Sequence, residues 1–256
     1  MSRVLVTGGT GTLGRLVVER LADAGHDAVV LSRHDAAGTI RGDLRNGSGL
    51  DDAVAGMDAI VHCATDPAHA REVDVAGTER LIAAARRAGG STHLVYVSIV
   101  GVDEIPWSFY AAKRQAEVLV GDSGLPWTVQ RATQFHGFLA AMLDRLARSP
   151  IMLLPRGFRF QPVSPADLAG RLVEHVDRGP REQADDFGGP EVLDLRTLAR
   201  TRLASTGRRR LVVEVPVPGR LTGAFRRGAN LCPDHADGRE TWQQFLDSSA
   251  PVGEGR

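Results

Sequence analysis

Through its first half the chain alternates short apolar runs with stretches of helical periodicity. Arg3-Val4-Leu5-Val6-Thr7, Ala28-Val29-Val30-Leu31, Ala59-Ile60-Val61-His62, Leu94-Val95-Tyr96-Val97 and Trp127-Thr128-Val129-Gln130 are short, apolar and separated, as buried strands are. Between them, helical spacing predicts helices over roughly 13–24, 49–55, 72–88 and 110–121. In the first, Leu13, Leu16, Val17 and Leu21 share a face. Strands of this kind separated by helices predict a parallel sheet covered on both faces, so the fold class is α/β and doubly wound.

From about Phe135 the rhythm loosens. The pattern predicts a helix at roughly 135–147, strands near 151–154 and 158–162, and a helix from Pro165 to about Asp177. Pro180 to Gly189, rich in charge and glycine, reads as a mobile connection. Beyond it, a helix at roughly 196–205, a strand at 211–215 and a last helix including Trp242–Leu246 follow, with no internal repeat. A chain of 256 residues then forms one domain, with 135–256 contributing most of a small C-terminal region that caps the ligand crevice and shapes the substrate pocket.

The first strand runs straight into Gly8-Gly9-Thr10-Gly11-Thr12-Leu13-Gly14. Glycines at 8, 11 and 14 allow a tight turn, close backbone approach to a diphosphate and close packing of the next helix on the strand. The N–H groups at that helix start would face the anion. Glycine triplets are weak evidence alone, but the placement between a strand and a helix is the context the dinucleotide motif requires.

Composition narrows the remaining classes. The 31 basic and 31 acidic residues cancel, so no overall field favours nucleic acid or an anionic membrane. Arg208-Arg209-Arg210 is the one basic run, read as a solvated turn before a strand. Cys63 and Cys232 form no CxxC pair and no cluster with histidine, so neither a structural zinc nor a disulfide frame is expected, and no metal site is assigned. With a strand starting at residue 3 and no apolar stretch of membrane-spanning length, a cytoplasmic protein is expected. Lys113 is the only lysine among the 31 basic residues. Coding bias explains the arginines, but a surviving lysine marks a position where a compact ammonium serves and a planar fork does not.

NAD sites usually carry an acid at the end of the second strand, bonded to the ribose 2′-hydroxyl. Here the stretch reads Leu31-Ser32-Arg33-His34, with no carboxylate. Arg33 would meet a 2′-phosphate instead, and Arg15, just after the third glycine, could add to it, so NADP is expected over NAD. Asp43-Leu44 suits an adenine contact, or is an ordinary turn.

Thr7-Gly8-x-x-Gly11-x-x-Gly14, Asp43-Leu44, Cys63-Ala64-Thr65, Val97-Ser98-Ile99-Val100-Gly101-Val102, Arg131-Ala132-Thr133-Gln134-Phe135 and Gln161-Pro162-Val163-x-x-x-Asp167-Leu168-Ala169 together resemble the atypical short-chain dehydrogenase/reductases, in the branch of NmrA-like NAD(P)-binding proteins. The resemblance covers most of the chain and is more specific for a Rossmann fold and its cofactor than for a substrate. It implies that Gly8, Gly11, Thr12, Leu13 and Gly14 line the diphosphate and Arg33 the adenosine phosphate. Asp43 and Leu44 would touch adenine, and Cys63, Ala64 and Thr65 would pass beneath the ribose. Cys63 reads either as a nucleophile or as a small buried residue at a strand end, and Ser98 either as a donor to a substrate carbonyl or as a backbone-capping hydroxyl.

Reductases of this superfamily carry Tyr-x-x-x-Lys on the helix after the fourth strand, the tyrosine donating a proton and the lysine holding the nicotinamide ribose. This chain reads Phe109-Tyr110-Ala111-Ala112-Lys113. Lys113 stands at the family lysine, but phenylalanine stands at the tyrosine. At about 100° per residue, a tyrosine four before the lysine lies roughly 40° to one side and one three before it roughly 60° to the other. Tyr110 is then a displaced acid or a packed aromatic. His136, next to Phe135, is a second candidate acid or a structural histidine. Trp107, Phe109, Phe135 and Phe138 would wall an apolar pocket, or belong to the core.

Three functions fit. The first is an NADPH-dependent reductase of a small apolar carbonyl, quinone or enone. The second is a non-catalytic NADP(H)-binding sensor, and the third an isomerase or dehydratase using NAD(P) transiently. Oligomeric state is not legible.

Overall fold

The computed structural model describes residues 1–34 and 36–249. Its elements in chain order are β1 Arg3–Thr7, α1 Thr12–Asp23, β2 Asp27–Ser32, β3 Thr39–Arg41, α2 Leu50–Val54, β4 Ala59–His62, a π turn Arg71–Val75, α3 Ala76–Arg87, β5 His93–Ile99, α4 Ser108–Gly121 and β6 Trp127–Ala132. They continue with α5 His136–Leu146, β7 Ile151–Pro155, β8 Arg159–Phe160, α6 Pro165–Arg178, β9 Glu182–Gln183, β10 Leu193–Asp194, α7 Leu195–Ser205, β11 Leu211–Val215, α8 Arg220–Arg227, a 3-10 turn Pro233–His235 and α9 Trp242–Ser248.

Two compact units result. The first comprises Met1–Asp103, Trp107–Ala132 and Pro165–Asp186. Its strands form one sheet in the order β3-β2-β1-β4-β5-β6-β9, and every pairing is parallel. The α/β, doubly wound expectation is met. On one face Leu5, Ile60, Leu94 and Tyr96 pack with Leu50 and Val54 of α2 and with Leu81, Ala84 and Ala85 of α3. Burial on both faces explains why these strands lack apolar/polar alternation. Because the order reverses direction between β1 and β4, their carboxyl ends flank the crevice where such sheets take ligands.

One expectation is corrected. Pro180 to Gly189 is not simply a mobile connection: it contains β9, which pairs Glu182 with Thr128 and Gln183 with Val129 on the edge of β6. Gln130 Nε2 also donates to Asp185 O at 2.8 Å. The pairing comes from the unsatisfied edge of β6, so nothing in the charged, glycine-rich segment announces it.

Among the described residues the second unit comprises Glu104–Pro106, Thr133–Ser164 and 187–249. It holds α5, α7, α8 and α9, with β7 parallel to β11 and β8 antiparallel to β10. Phe158 stacks on Phe225 at 5.0 Å, and Trp242 Nε1 donates to Thr201 Oγ1 at 2.8 Å. Among the described residues, no helix is long and apolar enough to cross a membrane.

Candidate active site

The glycine loop joins β1 to α1, and each glycine answers a different constraint. Gly8 takes φ +67°, a conformation L-residues rarely adopt, and a Cβ there would come within 2.8 Å of the Ala64 backbone. At Gly14 a Cβ would fall on the carbonyl oxygen of Gly8, so the helix can pack this close to the loop only without one. At Gly11 a Cβ would meet just the Gly8 oxygen, at 3.2 Å. The protein itself therefore leaves room at Gly11. Gly11 is also the N-cap of α1 and offers no side-chain cap, so N–H groups of the first turn keep their hydrogen-bonding capacity for an anion. These residues fit the diphosphate of a dinucleotide.

Beneath the loop runs a buried chain of polar groups that fixes the strand ends. Thr78 Oγ1 donates to Asp74 O at 2.5 Å, so its oxygen accepts from His62 Nε2 at 3.0 Å. His62 Nδ1 is then the acceptor for the Thr7 hydroxyl at 2.6 Å, and Thr7 Oγ1 accepts from Ala64 N at 3.3 Å. Every proton in the chain has one direction only if His62 is neutral. Burial, helped by the charge of Lys113, lowers its pKa to about 3, in agreement. The network ties the last residue before the glycine loop to the Cys63–Thr65 segment.

The same network leads to the lone lysine. Lys113 is buried in α4, donates from Nζ to Val97 O at 2.7 Å, and lies 3.6 Å from Asp74 Oδ1 and 4.3 Å above the Tyr96 ring. Asp74, fully buried in the π turn, accepts from Thr65 Oγ1 at 2.6 Å and Asp66 N at 3.1 Å. Glu117, one turn after Lys113, is held by a two-pronged contact with Arg131, both distances 2.8 Å. Cys63 is free and half-buried, and burial pushes its thiol up to about 12 against the pull of Lys113, which disfavours the thiolate that a nucleophile needs. Ser98, at the carboxyl end of β5, is 2% exposed and its Oγ has no hydrogen-bond partner among the described residues.

The remaining candidates are spread more widely. Asp43 Oδ1 accepts from Arg45 N at 2.9 Å, closing a turn, while Leu44 packs in the core. Arg33 is exposed just past β2. Arg15 pairs with Glu19 one turn along α1, at 2.8 Å. Trp107, Phe109 and Tyr110 form one aromatic cluster, with Tyr110 5.2 Å from Trp107 and 6.3 Å from Phe109 between ring centroids, and Tyr110 is 3% exposed. Phe135, His136 and Phe138 belong to the second unit. There His136 is fully buried, stacked on Phe245 at 5.1 Å and Trp242 at 6.0 Å, with Nδ1 3.7 Å from Glu240 Oε2, whereas Phe138 is 53% exposed. Sequence reasoning missed Asp74. A signal existed: Asp74 and Thr78 share the helical register of the core residues Leu81 and Ala85, so polar side chains sit on an inward face.

A family profile described as NAD(P)H-binding matches residues 8–137. The chain is 37% identical over 204 residues to a (4-alkanoyl-5-oxo-2,5-dihydrofuran-3-yl)methyl phosphate reductase of Streptomyces griseus, covering 75% of this chain and 70% of that protein. It is 27% identical over 235 residues to an uncharacterized protein of Mycobacterium tuberculosis, covering 86% of this chain but only 25% of that longer one. An NADPH-dependent quinone oxidoreductase of Escherichia coli, solved with NADPH, superposes with a TM-score of 0.79 at 16% identity, covering 96% of this chain and 99% of that one, a likeness of fold. With the glycine loop, the parallel sheet and these matches together, the chain belongs to the NAD(P)H-binding, NmrA-like family of atypical short-chain dehydrogenase/reductases.

Proposed function

We propose that this protein is an NADPH-dependent reductase of a small apolar carbonyl, quinone or enone. The observation that carries the reading is the open space at Gly11 on an uncapped helix start, beside a network that leads to a buried lysine. NADPH, when bound, supplies the hydride. Gly8, Gly11, Thr12, Leu13 and Gly14 would hold its diphosphate, Arg33 with Arg15 its 2′-phosphate, and Asp43 and Leu44 its adenine. Cys63, Ala64, Thr65 and Lys113 would hold its ribose.

Ser98 is assigned as the donor to the substrate carbonyl. A buried hydroxyl without a partner costs about 1–3 kcal/mol, a cost that a ligand oxygen would remove. Trp107 and Phe109 suit an apolar substrate. The name of the Streptomyces relative describes a dihydrofuran carrying oxo, alkanoyl and methyl phosphate groups; its oxo and alkanoyl groups favour a conjugated carbonyl as the acceptor, whereas its phosphate is not apolar. His136, closed in by Phe245 and Trp242, is assigned to packing.

A second reading, a cofactor sensor, is favoured by one observation: phenylalanine occupies the family tyrosine position and Tyr110 is packed beside Trp107 and Phe109. NADPH oxidation over a panel of quinones, enones and carbonyls, run beside a binding titration, separates the two. Turnover of a conjugated substrate supports the reductase; tight NADPH binding with no turnover on the panel establishes the sensor.

A further inference from the structure

We propose that Asp74 is a positioning residue of the dinucleotide site: its carboxylate is the counter-ion that keeps Lys113 a cation, and it locks the Cys63–Thr65 segment against that lysine. The inference deepens the reductase reading and rests on it for the ribose contact. Three observations support it. Lys113 is 5% exposed in its side chain, and Asp74 Oδ1 lies 3.6 Å from its Nζ. Both Asp74 oxygens are also engaged by the segment after β4, Oδ1 by the Thr65 hydroxyl and Oδ2 by Asp66 N. One carboxylate thus joins the lysine to residues 65 and 66.

The other groups around the lysine supply less of that charge. Glu117, on the same helix, is taken up by Arg131 and Arg114. The Cys63 thiol is held protonated by burial, and His62 on β4 is held neutral. Tyr96, on β5, offers its ring face to Nζ, and burial raises its phenol well above the usual range, so it too is uncharged. A buried ammonium without a countercharge loses its proton. Burial lowers the Lys113 pKa here, and the charge of Asp74 opposes that fall most strongly, ahead of Cys63 and Glu117.

The chain has a single lysine, which makes the test specific. Incorporation of lysine labelled with nitrogen-15 at Nζ gives one side-chain resonance, whose pH titration reads Lys113 directly, without cofactor or turnover. In Asp74→Asn the midpoint is expected to fall so that proton affinity drops at least tenfold. NADPH affinity measured by titration should then lie nearer wild type below the new midpoint, short of it by the lost Asp66 N–H contact, and fall at least a further tenfold above it. An unmoved midpoint, or an affinity loss equal at every pH, overturns the proposal in favour of a merely structural role. Should Asp74→Asn fail to fold, the double variant Asp74→Asn with Lys113→Met removes both charges: recovery of a folded protein supports the pairing, and failure overturns it. Because the resonance needs no substrate, absence of turnover would sink the reductase reading while leaving this one standing.

Discussion

Gly11 and Gly14 belong to one loop but answer to different constraints, and a pair of substitutions separates them. A Cβ at Gly14 would meet Gly8 O, with Gly8 C at 2.7 Å and Gly9 Cα at 2.8 Å, all backbone atoms that cannot swing aside. Overpacking costs about 1–3 kcal/mol, and Ala in place of a helical Gly returns about 1. With rigid neighbours the cost lies at the upper end, leaving about 2 kcal/mol, and at roughly 2–4 °C per kcal/mol the melting temperature of Gly14→Ala should fall by roughly 4–8 °C. Gly11 differs: it lies at φ −83° and ψ 177°, accessible to any L-residue, and its Cβ would touch one oxygen at 3.2 Å. A poorer N-cap and a stiffer unfolded chain nearly cancel, so Gly11→Val should melt within roughly 3 °C of wild type. Its side chain would nevertheless fill the diphosphate space. Losing two charge-assisted hydrogen bonds, at about 1.5–3 kcal/mol each, weakens binding by about 10²–10⁴-fold. Differential scanning fluorimetry and titration calorimetry with NADPH and NADH read both effects. A folded Gly11→Val protein that binds either dinucleotide within threefold of wild type would refute the phosphate site.

Three further outcomes are expected. Arg33→Ala should weaken NADPH binding by roughly 10- to 150-fold and leave NADH nearly unchanged, so equal losses for both in a titration would remove the case for a 2′-phosphate contact. On a substrate that is turned over, Ser98→Ala should lower kcat by about 10²–10³-fold, as loss of one oxyanion donor does, whereas Tyr110→Phe should change it less than threefold; a ~10²–10⁴-fold loss in Tyr110→Phe would instead mark that phenol as the general acid. Acid should destabilise the first unit through its buried histidines, since His62 is lowered to about 3 and His93 and His175 to about 4, all by burial first. Folded pKa values below the unfolded value of about 6.5 mean that the unfolded chain binds more protons, so stability is whole above pH 6.5 and is lost as pH falls below it, by about 1.4 kcal/mol per unit and histidine. Urea unfolding midpoints that stay level from pH 7 to 5 would contradict that account.

How much of this was legible depended on whether the cause lay within a segment or across the fold. β1, β4 and β11 have the bounds their apolar runs predict, and the glycine loop sits where the motif required. β3, β9 and β10 were not foreseen, because two- and three-residue strands exist through the edges they pair with. α8 escaped for a related reason: Arg220–Arg227 carries four charged or glycine positions against three apolar ones and is settled by Thr222, Ala224 and Phe225 turning inward. The expected helix over 72–88 was right in extent, yet its first turn is π, and this is the turn that delivers Asp74.

That last difference bears directly on function. The family pattern names the positions of Phe109 and Lys113 and leaves Tyr110 one place off, while Asp74 sits in no such pattern. Its charge is invisible as chemistry in a linear reading, because an acid in a helical stretch is ordinarily solvated. Full burial reverses that expectation: an aspartate at 0% exposure persists only with partners, and here they are a hydroxyl, a backbone N–H and the ammonium of the chain's one lysine. The same logic turns the lone lysine from a compositional oddity into a structural statement. A guanidinium, larger, planar and bearing five donors, would have to satisfy all of them in a space that offers a carbonyl at 2.7 Å, a ring face and a shared carboxylate. Arginine is therefore excluded by geometry at 113, whatever bias replaced lysine elsewhere, and Lys113→Arg should fail to restore the NADPH affinity that Lys113→Ala loses.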